Sequence, residues 1–220
     1  AMIAPGLGIA PEKLRLVQNN AGGTFGYKFS PTMEALLGVA AIATGRPVFL
    51  KYDYKQHITY TGKRSPFFIH LKLAADKDGK LLAMESDWTV DHGPYSESSQ
   101  DLTNKGGQFM FAPYRLDHIR GVGYTFFTNH RWCGAFRAYG APQTYLAGEI
   151  AVDMLAEKVG LDPLDFREKN LLQPGDTLPS GQRAEVYPLQ AMVTRMRPLY
   201  DEAKRRAREG STETVRRGVG

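Results

Sequence analysis

The sequence is poor in cysteine: among its 220 residues, only Cys133 carries a thiol. A disulfide framework, and a zinc or iron–sulfur site held by cysteines of this chain, are therefore excluded. No apolar run reaches the roughly 18 residues that a membrane-spanning helix needs. The five histidines show no spacing typical of metal ligands, so we expect no metal held by protein side chains. The sequence thus predicts a cytoplasmic protein without a membrane partner.

Acidic residues are also fewer than basic residues. The chain has 28 Lys and Arg residues against 23 Asp and Glu residues, a net charge of +5. Most of the excess lies in residues 195–220, where the only aromatic residue is Tyr200. Surfaces that bind nucleic acid interleave basic and aromatic side chains, so we interpret this tail as the solvated side of a terminal helix and expect no nucleic-acid partner. DNA binding is a competing hypothesis, which a steep salt dependence of the affinity would reveal.

Apolar spacing predicts helices at about 31–44, 142–159, 163–170 and 189–208. Ser30–Pro31 and Asp162–Pro163 are typical helix starts, because the polar side chain can accept a bond from a backbone N–H and proline suits the first helical position. Gly45 is a typical stop. The helix at 142–159 has a wide apolar face, and the last helix is expected to turn a second apolar set inward. These residues are Leu146, Ala147, Ile150, Ala151, Met154 and Leu155 in the first helix, and Leu189, Met192, Val193, Met196 and Leu199 in the second.

Alternating apolar residues predict strands. An Asp-Gly step lies between the alternating run that starts at Phe67 and the run from Leu81 to Asp91, which indicates a β-hairpin. Further strands are predicted at 14–20, 47–52 and 119–128. Together with the helices, they predict an α+β fold with mixed and antiparallel sheets and packed helices. We expect a domain over residues 1–172, followed by a loop and a C-terminal helical extension over 173–220.

Two segments could carry chemistry. The run Gly22-Gly23-Thr24-Phe25-Gly26 has three glycines in five residues, which lets a backbone approach a ligand closely, although a structural tight turn explains it as well. The run Ala135-Phe136-Arg137-Ala138-Tyr139 places an arginine between two aromatic residues just before a helix. On its own, this second run is better explained as a packed loop. Cys133 near His130 is interpreted as an inert buried thiol.

These segments follow one another in a recognisable order. Between them lie Ala43-Thr44-Gly45-Arg46-Pro47-Val48 and Thr61-Gly62-Lys63-Arg64-Ser65-Pro66, and after them Gly160-Leu161-Asp162-Pro163. The ordered set resembles the molybdenum-binding subunit of the xanthine oxidase family, and within it the bacterial aldehyde oxidoreductases. The resemblance runs over essentially the whole chain.

The resemblance implies a cofactor, molybdopterin cytosine dinucleotide with molybdenum, whose metal is held by pterin sulfurs and needs no protein ligand. It implies that residues on two loops bind this cofactor and that two aromatic residues contact the substrate, while no catalytic residue lies in this chain. The implied cofactor-binding residues are Gly23, Thr24, Phe25, Gly26, Ala135, Phe136 and Arg137, and the implied substrate-binding residues are Phe29 and Tyr139.

Two positions bear on the substrate that the resemblance implies. Purine hydroxylases of the family carry a glutamate where this chain has Phe29, which favours an aldehyde over a purine. The stretch Ser98-Ser99-Gln100-Asp101 is more polar than its counterpart in the family's aldehyde oxidoreductases, which leaves the polarity of the substrate channel open.

Enzymes of this family are several-fold longer, with iron–sulfur domains and a catalytic glutamate that this chain does not contain. We therefore expect the cofactor-binding segment of a molybdenum hydroxylase that oxidises aldehydes to carboxylic acids, inactive alone and in need of the remaining domains or subunits. Apolar surfaces that face those partners predict self-association as a possible homo-oligomer. The alternative is a non-catalytic binding module, or a remnant of that enzyme, that holds no cofactor.

Overall fold

The computed structural model describes residues 3–29, 33–95, 98–111 and 113–220. The helices are α1 (Ile3–Gly6), α2 (Glu34–Thr44), α3 (Tyr54–Tyr60), α4 (Ser99–Phe109), α5 (Ala141–Val159), α6 (Pro163–Asn170) and α7 (Leu189–Glu209). The strands are β1 (Lys63–Arg64), β2 (Phe67–Ala75), β3 (Leu81–Asp91), β4 (His118–Phe126) and β5 (Cys133–Gly134). None of the helices in these ranges is long and apolar enough to cross a membrane.

The strands form two sheets. β1 pairs in parallel with β5, with Lys63 opposite Cys133 and Arg64 opposite Gly134. The second sheet has the order β2-β3-β4, and the short turn between β2 and β3 makes that pair antiparallel. The predicted α+β class with mixed sheets is therefore confirmed.

The predicted hairpin is present, and its turn is built by Asp76. One carboxylate oxygen of Asp76 accepts bonds from the N–H groups of Asp78 (3.0 Å) and Lys80 (2.8 Å). Gly79 has a φ of +81°, a conformation that favours glycine. The turn residues thus fix the register of β2 against β3.

The long helices were well predicted. Asp162 begins α6, since its carboxylate accepts bonds from the N–H groups of Leu164 (2.8 Å) and Asp165 (3.3 Å). Gly45 ends α2 with a φ of +63°, and its N–H donates to the carbonyl of Ala41 (2.9 Å). The predicted start at Ser30–Pro31 lies outside the described residues.

Two predicted strands were wrong, and the short helix α1 and two longer helices were missed. Residues 14–20 and 47–52 are irregular, because short alternation without a neighbouring strand gives no ladder of hydrogen bonds. The helices α3 and α4 were not predicted. A capping box begins α3: Asp53 accepts a bond from the N–H of Gln56 (2.7 Å), and the Gln56 side chain accepts one from the N–H of Asp53 (3.0 Å).

The predicted inward face of α7 was also wrong. Met192, Met196 and Leu199 are exposed. The charged side of the helix makes the contacts instead, because Arg197 forms ion pairs with Asp165 (2.6 Å) and with Glu168, and Lys204 pairs with Asp162. In α5, likewise, three members of the apolar face are exposed while two other residues are fully buried. The exposed residues are Leu146, Ile150 and Met154, and the buried ones are Val152 and Ala156.

The chain divides into two compact units. Unit 1 comprises residues 1–70, 87–110 and 122–146, and unit 2 comprises residues 71–86, 111–121 and 147–220. Buried residues of unit 1 include Val90, His92, Leu102, Met110 and Cys133, and those of unit 2 include Leu81, Phe111, Val152, Phe166 and Leu172. The residues that the sequence predicts to bind cofactor and substrate all belong to unit 1.

Candidate functional site

The first predicted loop is folded around a left-handed pair of residues. Phe25 has a φ of +50° and Gly26 a φ of +89°. A short 3₁₀ turn, Tyr27–Phe29, follows them. The ammonium group of Lys28 donates to the carbonyl of Gly23 (2.9 Å), and the N–H of Lys28 donates to the carbonyl of Thr24 (3.4 Å). The loop is thus a defined structure, with its glycines where the backbone needs them.

The second predicted loop follows β5 and leads into α5. Ala138, Tyr139 and Gly140 have φ values of +71°, +44° and +89°. Among the described residues, the non-glycine residues with a positive φ are Phe25, Ala138 and Tyr139, so all of them lie in the two predicted loops. Left-handed conformation at a non-glycine residue costs roughly 1–3 kcal/mol and is concentrated at functional sites.

The two loops are in direct contact. The N–H of Arg137 donates to the carbonyl of Phe25 (2.8 Å). A Cβ atom placed on Gly26 would lie 2.9 Å from the carbonyl carbon of Ala135 and 3.0 Å from the backbone nitrogen of Phe136. Since these are backbone atoms that cannot easily move aside, only glycine allows the loops to approach so closely.

Cationic groups lie over the aromatic rings of both loops. The guanidinium carbon of Arg137 is 5.5 Å from the centre of the Phe25 ring, and the Lys28 ammonium is 5.9 Å from it. The guanidinium carbon of Arg64 is 5.1 Å from the centre of the Phe136 ring. At these distances a cation is attracted by the face of the ring, so the site combines flat apolar surfaces with positive charge.

A cavity of about 450 Å³ opens where the loops meet. The described residues that line it are Phe25, Gly26, Phe29, Ser98, Ala135, Phe136, Arg137, Ala138 and Tyr139, and none of these is acidic. All but two of the predicted site residues are therefore brought together; Gly23 and Thr24 lie in the first loop but outside the lining. Phe29 is 74% exposed, so its ring is open to a molecule that enters the cavity.

Ser98 and Ala138 also line the cavity and were not predicted as site residues. The hydroxyl of Tyr139 donates to the backbone carbonyl of Ser98 (3.0 Å), which joins the start of α4 to the second loop. The Ser98 hydroxyl is itself buried and has no hydrogen-bond partner in the part of the chain that the structure describes. The polar stretch that begins at Ser98 was the signal that could have identified this wall.

Other titratable candidates lie away from any open site. Cys133 is 1% exposed, and burial raises the pKa of its thiol, whose sulfur lies 3.4 Å from the carbonyl oxygen of Arg131. Burial lowers the pKa of His92, which is fully buried with Nδ1 3.3 Å from the Ser65 hydroxyl. His130 is exposed. The described residues include no group of three or more His, Cys, Asp or Glu side chains that could hold a metal ion.

The comparison with protein families gives a clear result. Residues 1–171 match the family model described as "Molybdopterin cofactor-binding domain". The chain belongs to this family. The resemblance to molybdenum-binding subunits that the ordered motifs predicted is thereby confirmed.

Individual relatives agree with this assignment. The chain is 58% identical to the aldehyde oxidoreductase of Megalodesulfovibrio gigas over 219 residues, which cover 100% of this chain and 24% of that protein. A solved structure of aldehyde oxidoreductase from Desulfovibrio gigas superposes with a TM-score of 0.91 at 59% identity, over 97% of this chain and 24% of that one. The enzyme from Desulfovibrio desulfuricans gives a TM-score of 0.90 at 56% identity, over 96% and 24%. The chain thus spans about a quarter of the length of these relatives.

The residues of the cavity fit the cofactor that this family binds. Molybdopterin offers a flat heterocycle and an anionic phosphate, and the described lining of the cavity offers aromatic rings and a guanidinium group without a carboxylate among them. The close approach at Gly26 also leaves backbone groups of both loops at the cavity wall. Residues Phe25, Gly26, Ala135, Phe136 and Arg137 are those that would hold the group.

Proposed function

We propose that the cavity of unit 1 holds molybdopterin in its cytosine dinucleotide form, with molybdenum, and that this chain is the cofactor-binding part of an enzyme that oxidises aldehydes to carboxylic acids. The observation that carries the proposal is the contact of the two loops: Arg137 N–H to Phe25 carbonyl at 2.8 Å, beside a Gly26 that leaves no room for a Cβ. When bound, the cofactor supplies the oxidation–reduction chemistry.

In this proposal, the residues of the chain bind and orient. The wall of the cavity from Gly26 to Phe136 meets the pterin, with Gly23 and Thr24 supporting the first loop from outside the cavity. Arg137 offers positive charge to an anionic group. Phe29 and Tyr139 flank the substrate, and the phenyl ring of Phe29 offers no hydrogen bond to a heterocycle, which supports an aldehyde rather than a purine.

The relatives are about four times longer than this chain, which supports a requirement for further domains or subunits. We propose that iron–sulfur domains are among these partners, that the chain is inactive without them, and that the assembly works in the cytoplasm. The family match over residues 1–171 supports a cofactor-binding domain over 1–172, with 173–220 as an extension. Reduction of a dye by an aldehyde in the presence of this 220-residue chain and cofactor alone would contradict the proposed inactivity.

A pair of glycine substitutions tests the proposed cofactor site. Gly26→Ala places a Cβ against backbone atoms at 2.9 Å, at a φ of +89°, and must push the loops apart. Gly22→Ala is the matched control in the same loop, since no atom lies within 4 Å of its Cβ position. We expect Gly26→Ala to weaken cofactor binding at least tenfold, about 1.4 kcal/mol, and Gly22→Ala to leave it unchanged.

The measurement is a fluorescence titration of the purified chain with the molybdenum-loaded dinucleotide pterin, followed by molybdenum analysis of the washed protein. Equal affinities of Gly26→Ala and the wild-type chain would contradict the proposed site. If the wild-type chain bound no cofactor at all, the alternative of a non-catalytic remnant would be favoured.

A further inference from the structure

Arg64, the second residue of β1, reaches the second loop with its side chain. One terminal nitrogen of its guanidinium donates to the carbonyl of Arg137 (2.7 Å), and the other donates to the side-chain oxygen of Gln143 (3.3 Å). Its guanidinium carbon lies over the Phe136 ring, 5.1 Å from the ring centre. A single side chain thus contacts three positions between residues 136 and 143.

The contact to Gln143 is anchored in turn. The side-chain NH₂ of Gln143 donates to the carbonyl of Ser65, the residue after Arg64 (3.0 Å). The sheet pair of β1 with β5 fixes Arg64 opposite Gly134, immediately before the loop. Arg64 is therefore fixed at its backbone and at its guanidinium, so its side chain can hold the loop in one position.

The loop that it contacts needs such support. Ala138 and Tyr139 are left-handed, and conformations of this kind persist only where the surroundings enforce them. Both backbone groups of Arg137, the residue before this pair, are fixed: its N–H donates to Phe25 and its carbonyl accepts from Arg64. The carbonyl bond to Arg64 therefore constrains the residue that comes immediately before the strained pair.

The chemistry of arginine matches the arrangement. A planar guanidinium can donate in two directions and stack on a ring at the same time, whereas the ammonium of lysine cannot. Burial lowers the pKa of the Arg64 guanidinium, and no carboxylate of the described residues forms an ion pair with it. Its half-buried charge is therefore satisfied by the loop carbonyl and by Gln143, which couples the side chain to the shape of the loop.

We infer that Arg64 is a positioning residue for the loop Ala135–Tyr139, holding the Arg137 carbonyl and the Phe136 ring so that Ala138 and Tyr139 keep their left-handed conformation on the cavity wall. We expect this loop to be ordered even when no ligand is bound. That a fixed loop favours cofactor binding rests on the proposed function.

Hydrogen exchange of the full chain without cofactor tests the inference. The amides of Arg137 and Tyr139 are hydrogen-bonded, to the carbonyls of Phe25 and Phe136. In Arg64→Ala, we expect peptides over 136–139 to exchange at least about tenfold faster, while the hairpin at 67–91 exchanges as in the wild-type chain. Arg64→Lys is expected to lie between the two, and millimolar methylguanidinium is expected to slow the exchange of Arg64→Ala again.

Arg131→Ala is the matched control, since the Arg131 guanidinium also donates to two backbone carbonyls, those of Ile58 (2.7 Å) and Thr59 (3.0 Å), but not to the loop. Wild-type exchange of the loop in Arg64→Ala, or equal acceleration in Arg131→Ala, would overturn the inference. Should Arg64→Ala not fold, Arg64→Lys decides, because wild-type loop exchange there would also overturn it. Faster loop exchange in a chain that binds no cofactor would support the inference while contradicting the proposed function.

Discussion

The two units of the chain use polar side chains in opposite ways. In unit 2, charges are paired: Arg167 bonds to Glu149 (2.7 Å) and Asp153 (2.6 Å), and the hydroxyl of Tyr114 donates to Glu149 (2.9 Å). In unit 1, the charge beside the cavity is not neutralised in this way, since Arg64 and Arg137 lie over phenyl rings and form no ion pair within the described residues. Unit 2 thus pairs its charged side chains with one another, whereas beside the cavity Arg64 donates to uncharged groups and Arg137 has no ion-pair partner among the described residues.

Backbone geometry follows the same division. The left-handed non-glycine residues of the described chain, Phe25, Ala138 and Tyr139, are all in unit 1. In unit 2 the turn residues with positive φ are glycines, as at Gly79 and Gly160, where the conformation costs little. Strain is thus confined to the loops that line the cavity, as expected where shape is set by binding rather than by stability.

The largest change in the free energy of unfolding is expected when the ion-pair network of unit 2 is broken. Arg167→Ala removes the ion-pair partner of the half-buried Glu149 and of the exposed Asp153. We expect a loss of about 2 kcal/mol in the free energy of unfolding, between the values for exposed and buried pairs. Arg205→Ala is the control, because its pairs with Glu202 and Glu209 are solvent-exposed. Urea unfolding followed by circular dichroism measures both. Equal losses in the two variants would contradict the scaffold role of the network.

A pair of alanine-to-glycine substitutions sharpens the contrast in strain. Ala40→Gly, inside α2, should lower the free energy of unfolding by about 1 kcal/mol. Ala138→Gly should instead raise it by roughly 0.5 kcal/mol, because relief of the left-handed strain exceeds the added flexibility of the unfolded chain. The same urea experiment distinguishes them, and a destabilisation by Ala138→Gly as large as that by Ala40→Gly would show that the loop is unstrained.

The smallest expected effect is a pH dependence in unit 2. Burial raises the pKa of Asp162, but hydrogen bonds from Lys204 and from the N–H groups of Leu164 and Asp165 outweigh it, so that the net pKa lies below its usual value. A depressed carboxyl pKa stabilises the folded state above the unfolded pKa of about 3.9 and loses that effect as the pH falls through the folded value.

Asp162→Asn retains a capping side chain but loses the charge, so we expect a loss of about 0.5 kcal/mol at pH 7. The difference from the wild-type chain should shrink as the pH falls below about 4, because the unfolded chain binds a proton at this carboxyl there, while folded Asp162 becomes protonated only at lower pH. Unfolding by urea at several pH values tests this, and a difference that stays constant down to pH 2 would contradict the role of the Asp162 charge.

Local signals predicted much of the fold. The hairpin turn, the end of α2 and the start of α6 follow from Asp, Pro and Gly at fixed positions. Helix α4 was missed because its sequence contains Gly106 and Gly107, which disfavour helices. In the structure, the rings of neighbouring side chains leave no room for a Cβ at either position. A Cβ on Gly106 would lie 2.7 Å from the Phe67 ring, and one on Gly107 would lie 2.6 Å from the Trp88 ring. Tertiary packing overrides helix propensity here.

The apolar faces of α5 and α7 show a second limit. Periodicity predicts that a helix is amphipathic, but it does not say which partner covers a given residue, and Met154 and Met196 are exposed while Val152 is fully buried. The site was predicted by the order of its motifs rather than by any one of them. Ala138 was not predicted as a site residue, because its part in the cavity depends on the path of the backbone, which spacing in the sequence does not encode. Ser98 lies in the stretch that the resemblance linked to the substrate channel, but its place in the cavity wall was not predicted.

The most direct test of the account is a crystal structure of the chain with its cofactor, with molybdenum located by anomalous scattering. The account predicts a single strong molybdenum peak in the cavity between the Phe25–Gly26 and Ala135–Arg137 segments, with the pterin against the wall formed by Phe136. A molybdenum peak elsewhere on the molecule, with this cavity containing only solvent, would contradict it.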